Sequence, residues 1–449
     1  MTRSFVLLLL LTASGLYAQQ AVIVTAKVGG CSAAPKIFAF TGFGFVPVRE
    51  LEASADGSYH LTLPLEEAVF RYLGSRPDDL LPIVLGGEEN LTVTGSCGSM
   101  RSATISNSPL NAAYADLKQR FDAFNERYQT LEMDIRVIED EQVKENARQE
   151  MAAMDAEKEA LVRDTKAAYP LLGRIASLNT YLSHYSADAD QYGSQLEHYL
   201  DTYFRFVDYG DPGFDDLAWT YEAYRSYVKF IYPYLPPAEL ASIVLEKTAP
   251  WPAGGRARFL ARTGALATLL ENRHPAVPVL ADSIAGEYAE IFPGPVASMR
   301  RQTDVMRTYI IGAEAPLFTG TTPTGDSLSL ESLRGDVVLL DFWASWCGPC
   351  RKENPRVVRM YDKFKDRGFE ILGVSLDDKK DRWEKAIADD KLSWMHVSDL
   401  RGWQSSYGRL YGVTSIPQTV LLDREGNILA RNLRGADLER KLAEVLGVN

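Results

Sequence analysis

An apolar run, Val337 to Phe342, broken only by Asp341, leads straight into Trp346-Cys347-Gly348-Pro349-Cys350, and no other stretch constrains the fold as much. The run has the length and composition of a strand buried on both faces. Pro349 suits the first turn of a helix, where its missing N–H has no partner to lose. The cysteines therefore sit at a strand-to-helix junction. There Cys347 meets unpaired N–H groups and the positive end of the helix dipole. Both favour thiolate. A thiol pKa lowered from about 8.5 to about 7 raises the thiolate share at neutral pH from roughly 3% to roughly 50%. Cys350, one helical turn on, is placed to attack a mixed disulfide formed at Cys347.

The segments around the motif predict an ordered set of elements. Residues 316–335 read as a lead-in with turn signals at Pro323-Thr324-Gly325-Asp326. A second buried strand is expected at Phe369–Ser375 and a helix at Asp378–Asp390. Paired strands follow at Thr419–Leu422 and Ile428–Arg431, and a last helix at Asp437–Leu446. This β-α-β-α-β-β-α order is what a thioredoxin fold requires. A zinc site is the competing use of two cysteines so spaced, but it needs a second Cys or His pair. The module offers only His396, so no metal is expected.

Earlier in the chain, short strand-like runs at 21–28, 36–43, 58–63, 68–73, 80–85 and 90–94 are punctuated by Gly, Pro, Asp and Ser. They predict an all-β sandwich or partial barrel over residues 19–106. From Ser108-Pro109 the pattern turns helical. Leu110, Tyr114, Leu117, Phe121, Phe124, Tyr128, Leu131, Ile135 and Ile138 alternate steps of four and three, a heptad seam. The register is lost across Glu139–Glu145, after which Val143, Ala147, Met151, Met154 and Leu161 continue. A helical hairpin is favoured over one long coiled coil, and a second copy pairing through this region is the other way to cover the seam. Helix continues to residue 311, rich in aromatics such as Trp219, Tyr224, Tyr227 and Tyr234. They fit either a core or an aromatic-lined groove. The thioredoxin module is expected over 312–449.

Charge excludes one large class of partner. From Gly312 onward 20 Lys and Arg face 21 Asp and Glu, so nearly all of the net −12 lies in front of the module. Nothing here makes a basic footprint for nucleic acid. Arg3, the apolar run Phe5–Leu11 and Leu16-Tyr17-Ala18 have the form of a cleaved export signal over residues 1–18. Val28-Gly29-Gly30-Cys31 looks like a lipid-attachment box, but Lys27 precedes it and the apolar run ended well upstream, so no lipid anchor is expected. In an oxidising compartment Cys31 and Cys97, at the two ends of the β-rich segment, are expected to bridge; two free thiols are the alternative.

Residues 340–353, Leu-Asp-Phe-Trp-Ala-Ser-Trp-Cys-Gly-Pro-Cys-Arg-Lys-Glu, with Ile416-Pro417 further on, resemble the exported thioredoxin-like reductases of the TlpA/ResA type. The resemblance implies an attacking thiol at Cys347, a resolving thiol at Cys350 and a cis-proline at Pro417. With Ile416 and Trp346, that proline would hold the substrate chain. It also implies a proton-tuning role for Glu353, which could equally be an acid complementing the helix dipole. Asp341 matches the buried acid of cytoplasmic-type thioredoxins and could take the proton of Cys350, or be a paired structural acid. Gln418 stands where the family commonly has Thr. No cofactor is implied. The implied partners are periplasmic or cell-envelope proteins with disulfides or thiols, and a membrane electron donor. Keeping apocytochrome c cysteines reduced is one family task. A thioredoxin-fold peroxidase and a non-catalytic envelope interaction protein are the alternatives. The peroxidase needs a lone attacking Cys after Pro and Thr.

Overall fold

The computed structural model describes residues 21–86, 90–185 and 191–447, and the chain divides into two compact units, 1–219 and 220–449. The export signal expected at residues 1–18 lies outside the described residues.

Among the described residues the first unit opens with nine strands: β1 (Ala21–Gly29), β2 (Lys36–Phe40), β3 (Phe45–Glu50), β4 (Glu52–Ala53), β5 (Tyr59–Pro64), β6 (Val69–Arg76), β7 (Asp79–Leu85), β8 (Asn90–Ser96) and β9 (Thr104–Ser106). They form one sheet ordered β4-β5-β1-β8-β9 and another ordered β3-β2-β6-β7. Val22, Val24 and Ala26 alternate inward from β1 and meet Ile37, Leu73 and Ile83 of the other sheet in one core. Sequence periodicity missed β3 because it has almost no buried face. It is an edge strand carrying Pro47, a residue that only an edge tolerates. Cys31 and Cys97 are joined by a disulfide just beyond the ends of the parallel neighbours β1 and β8. The bond closes a loop with a sequence separation of 66 residues, so Cys97→Ala should lower the unit's unfolding free energy by about 4 kcal/mol in the chain-entropy account. Urea unfolding of the two proteins compares them directly. An unchanged midpoint would remove that role.

Ser108 caps α1 (Pro109–Val137), its hydroxyl accepting the Asn111 N–H at 3.1 Å. Asn111 then behaves like an added strand. Its amide donates to the Val84 carbonyl at 2.7 Å and its carbonyl accepts the Val84 N–H at 2.9 Å, covering the β7 edge. α1 ends at Ile138, and α2 (Glu141–Ala168), capped by Asp140, folds back on it. Leu131 packs with Ala147, Met151 and Met154, with Phe124, Tyr128 and Ile135 against them. The seam is thus closed within one chain, as a hairpin. Helices α3 (Pro170–Asn179) and α4 (Gln195–Thr202) complete this unit, which ends within α5 (Ala218–Ile231).

The second unit continues with α6 (Pro237–Thr248), α7 (Arg256–Glu271), α8 (Val277–Tyr288) and α9 (Pro293–Arg307). Tyr224 and Tyr227 are fully buried here and Tyr234 is exposed, so the aromatic run is chiefly core. The chain then forms β10 (Thr319–Thr321), β11 (Ser327–Ser329), β12 (Val337–Trp343), α10 (Gly348–Phe364), β13 (Phe369–Ser375) and α11 (Lys380–Asp390). β14 (Met395–Ser398), the short α12 (Ser406–Leu410), β15 (Gln418–Leu422), β16 (Ile428–Arg431) and α13 (Gly435–Val445) follow. The sheet order is β11-β10-β14-β13-β12-β15-β16, with β12 parallel to β13 and antiparallel to β15. This is the thioredoxin-like fold, with β10, β11, β14 and α12 added to the element order read from sequence. β14 escaped notice because it carries His396 and Ser398, both buried. Burial holds the His396 imidazole down to about 3, so it stays neutral.

Every residue of β12 is buried, and its side chains alternate between two cores. Val338, Leu340 and Phe342 join Leu330, Tyr407 and Tyr411; Val337, Leu339 and Trp343 join Val357 and Met360 of α10 and Leu438 of α13. That alternation puts Asp341 on the face covered by α10 and α13.

Residues before Gly312 are tied into this sheet. Arg431 donates to the Thr308 carbonyl and, at 2.9 Å, to that of Tyr411, and its guanidinium lies 4.3 Å from the centre of the Tyr309 ring. The Tyr309 hydroxyl donates to the Gly412 carbonyl at 3.0 Å.

Candidate active site

Cys347 is the N-cap residue of α10, at the C-terminal end of β12. Its sulfur accepts the Cys350 N–H at 3.2 Å, so an amide of the helix's first turn points at the atom that carries negative charge when the pair is reduced. Cys347 and Cys350 are disulfide-bonded, with Cα atoms 5.3 Å apart. They expose only 4% and 2% of their surface.

The loop before Cys347 is pinned from below. The buried Asp377 carboxylate accepts the Ser345 N–H at 2.9 Å, the Ser345 hydroxyl, and the Ser375 hydroxyl at 2.7 Å. On the helix side Arg351 makes a two-point pair with Asp390, whose Oδ2 also accepts from Asn354 at 2.6 Å. Arg351 reaches back to the Ser345 carbonyl at 3.3 Å. These contacts cross three elements and hold the redox pair in one place.

Behind the disulfide lies a narrow cavity, lined by Asp341, Cys350, Glu353, Pro417, Thr419 and Arg434 among others, with room for a water molecule. Asp341 is 7% exposed, and burial pushes its carboxyl up to about 7; Arg434 opposes the rise and the Glu353 charge adds to it. Near neutrality this group is shared between acid and carboxylate, and it lines the same cavity as the Cys350 side chain. Glu353 is half-buried and accepts the Gly435 N–H at 3.2 Å, at the start of α13. The Ile416–Pro417 peptide is cis, and Ile416 packs against both cores of the sheet. Gln418 is buried and opposite Phe342. Trp346 stands exposed beside Cys347.

The structure therefore brings Asp341, Trp346, Cys347, Cys350, Glu353, Ile416 and Pro417 into one site, while Cys31 and Cys97 lie in the other unit. Sequence reasoning missed Asp377, Asp390, Arg434 and Trp403. The first three act through tertiary placement and carry no local signal. Trp403 had one, a large aromatic in a turn between Gly402 and Ser405.

Residues 311–431 match the AhpC/TSA family. The thiol–disulfide oxidoreductase ResA of Bacillus thuringiensis subsp. konkukian is 31% identical over 136 residues, 30% of this chain and 76% of that protein. The chain belongs to the ResA family. A second ResA, from Geobacillus kaustophilus, is 33% identical over 138 residues, covering 30% of this chain and 78% of its own length. Among solved structures, the thioredoxin domain of a thiol–disulfide oxidoreductase from Bacteroides vulgatus is 39% identical. It covers 31% of this chain and 99% of that one, with a TM-score of 0.29. Like ResA, this chain is a thiol–disulfide oxidoreductase, and Cys347–Cys350 is its redox-active disulfide.

Proposed function

We propose that this ResA-family enzyme is an exported reductant of disulfides in periplasmic or other envelope proteins. The observation that carries the reading is the cavity shared by Asp341 and Cys350 behind a Cys347 sulfur held at a helix N-terminus. In the reduced enzyme the Cys347 thiolate attacks one sulfur of a substrate disulfide, whose S–S bond breaks and releases the first substrate thiolate. Asp341 takes the Cys350 proton, directly or through one water. The Cys350 thiolate then attacks the Cys347 sulfur, releases the second substrate thiolate, and leaves the enzyme disulfide. The substrate gains two electrons and the enzyme loses two. A thiol donor, membrane-bound in this reading, returns them.

Pro417, Ile416 and Trp346 border the pair and are assigned to holding the substrate chain; Glu353, fixed by the Gly435 N–H, is assigned to setting the charge around Asp341. Export rests on the residues at the N-terminus, Arg3 and the apolar run Phe5–Leu11. No helix among the described residues is long and apolar enough to cross a membrane. The hairpin closes the α1 seam with α2, and we therefore assign that seam to folding within one chain. Reduction of insulin by the pre-reduced full chain is the test. Cleavage at a rate above free dithiol is the expected result; none would remove the reductase reading.

A further inference from the structure

Two exposed tryptophans stand together at the redox pair. Trp346 is 47% and Trp403 is 52% exposed, and their ring centres are 5.8 Å apart. They come from distant parts of the chain, and the fold fixes both. Asp377, whose carboxylate holds Ser345 next to Trp346, accepts the Gly402 N–H on its backbone carbonyl at 3.4 Å, next to Trp403. Asp399 braces the same loop, its carboxylate accepting the Ser406 N–H at 2.7 Å and the Ser406 hydroxyl at 2.8 Å. Leu400, on that loop, is a third exposed apolar side chain.

Exposed aromatic rings grouped in this way are costly to leave in water and are characteristic of contact sites. What covers it follows from the chemistry beside it. Cys347 is almost buried and Trp346, directly before it in the chain, is exposed, so a substrate chain whose sulfur reaches Cys347 passes beside Trp346. The side chain next to the substrate cysteine then falls within reach of Trp346 and of the ring beside it. We propose that Trp346 and Trp403 form a two-ring clamp selecting protein disulfides whose cysteine is flanked by an aromatic or large aliphatic side chain, with Trp403 the specificity-determining residue. The clamp rests on the reductase reading above and adds the substrate class to it.

The experiment uses the pre-reduced full chain in single-turnover reactions with two peptide disulfides. One has Phe or Leu beside each cysteine and the other Gly or Ser. The wild type should prefer the flanked peptide by about 10-fold in kcat/KM, equivalent to about 1.4 kcal/mol. Trp403→Ala and Trp403→Gln should cut that preference to about 2-fold or less, while Trp403→Phe, which keeps a ring, retains most of it. Equal rates on both peptides with the wild type, or full preference in either ring-less variant, would overturn the clamp and leave the reductase reading standing. Failure of the wild type to reduce either peptide would overturn the reductase reading itself.

Discussion

Cys347→Ser abolishes disulfide reduction, a loss of roughly 10^3-fold or more, because the attacking atom is gone and nothing else at the rim is a nucleophile of comparable strength. Cys350→Ser behaves differently. Cys347 can still attack, but no second thiol resolves the mixed disulfide, so the variant accumulates bound to its substrates. Non-reducing electrophoresis with insulin, or with an envelope extract, should show higher-mass adducts for Cys350→Ser and none for Cys347→Ser. The asymmetry follows from position. Cys347 caps α10 and receives the N–H of Cys350, whereas Cys350 lies inside the first turn and faces the cavity. Full activity in Cys347→Ser would refute the assignment of the attacking thiol.

Asp341→Asn should slow the enzyme and stabilise the fold at the same time. An unfolded chain releases the Asp341 proton near 3.8, but burial holds it to about 7 in the folded protein. Below pH 3.8 both states keep the proton and ionisation of the carboxyl takes nothing from stability. Between these values the unfolded chain has ionised and the folded one has not, so stability falls as pH rises, and it levels off above 7. The full gap is on the order of 4 kcal/mol at pH 8, and it disappears in acid. Asn carries no charge in either state, so thermal unfolding of the variant should show its gain over the wild type growing from pH 4 to pH 7. Turnover moves the other way. With Asp341 no longer able to take the Cys350 proton, release from the mixed disulfide should slow about 10^2-fold, and the acid limb near pH 7 should vanish from the pH–rate profile of that release step. A variant with unchanged rate and an unchanged acid limb would make Asp341 a structural acid only.

The redox site was readable from sequence because its logic is local. One strand, one turn and one helix start carry both cysteines, and period-two alternation along β12 decides which face Asp341 occupies. The heptad in α1 was legible for the same reason, and the loss of its register across Glu139–Glu145 fell at the hairpin turn, between the Ile138 cap of α1 and the start of α2 at Glu141. What stayed hidden depends on residues that meet only in the fold. β14 looks unlike a strand because its buried His396 and Ser398 are polar, and β3 because Pro47 interrupts it and its residues are largely exposed. The brace of Asp377 across two loops and the approach of Trp403 to Trp346 join segments far apart in the chain, where no periodicity operates. The link between Arg431 and Thr308 is of the same kind. A fragment starting at Gly312 leaves Arg431 without that carbonyl and without the Tyr309 ring.

The direction of electron flow is the central claim, and the reduction potential of the Cys347–Cys350 pair tests it most directly. Equilibrating the full chain in dithiothreitol redox buffers and quantifying the free thiols of Cys347 and Cys350 gives the value. A reductant needs a potential close to the roughly −270 mV of thioredoxin, and that is the result predicted here. A value near the roughly −120 mV of a strong oxidant such as DsbA would mean that the pair donates disulfides instead, contradicting the account.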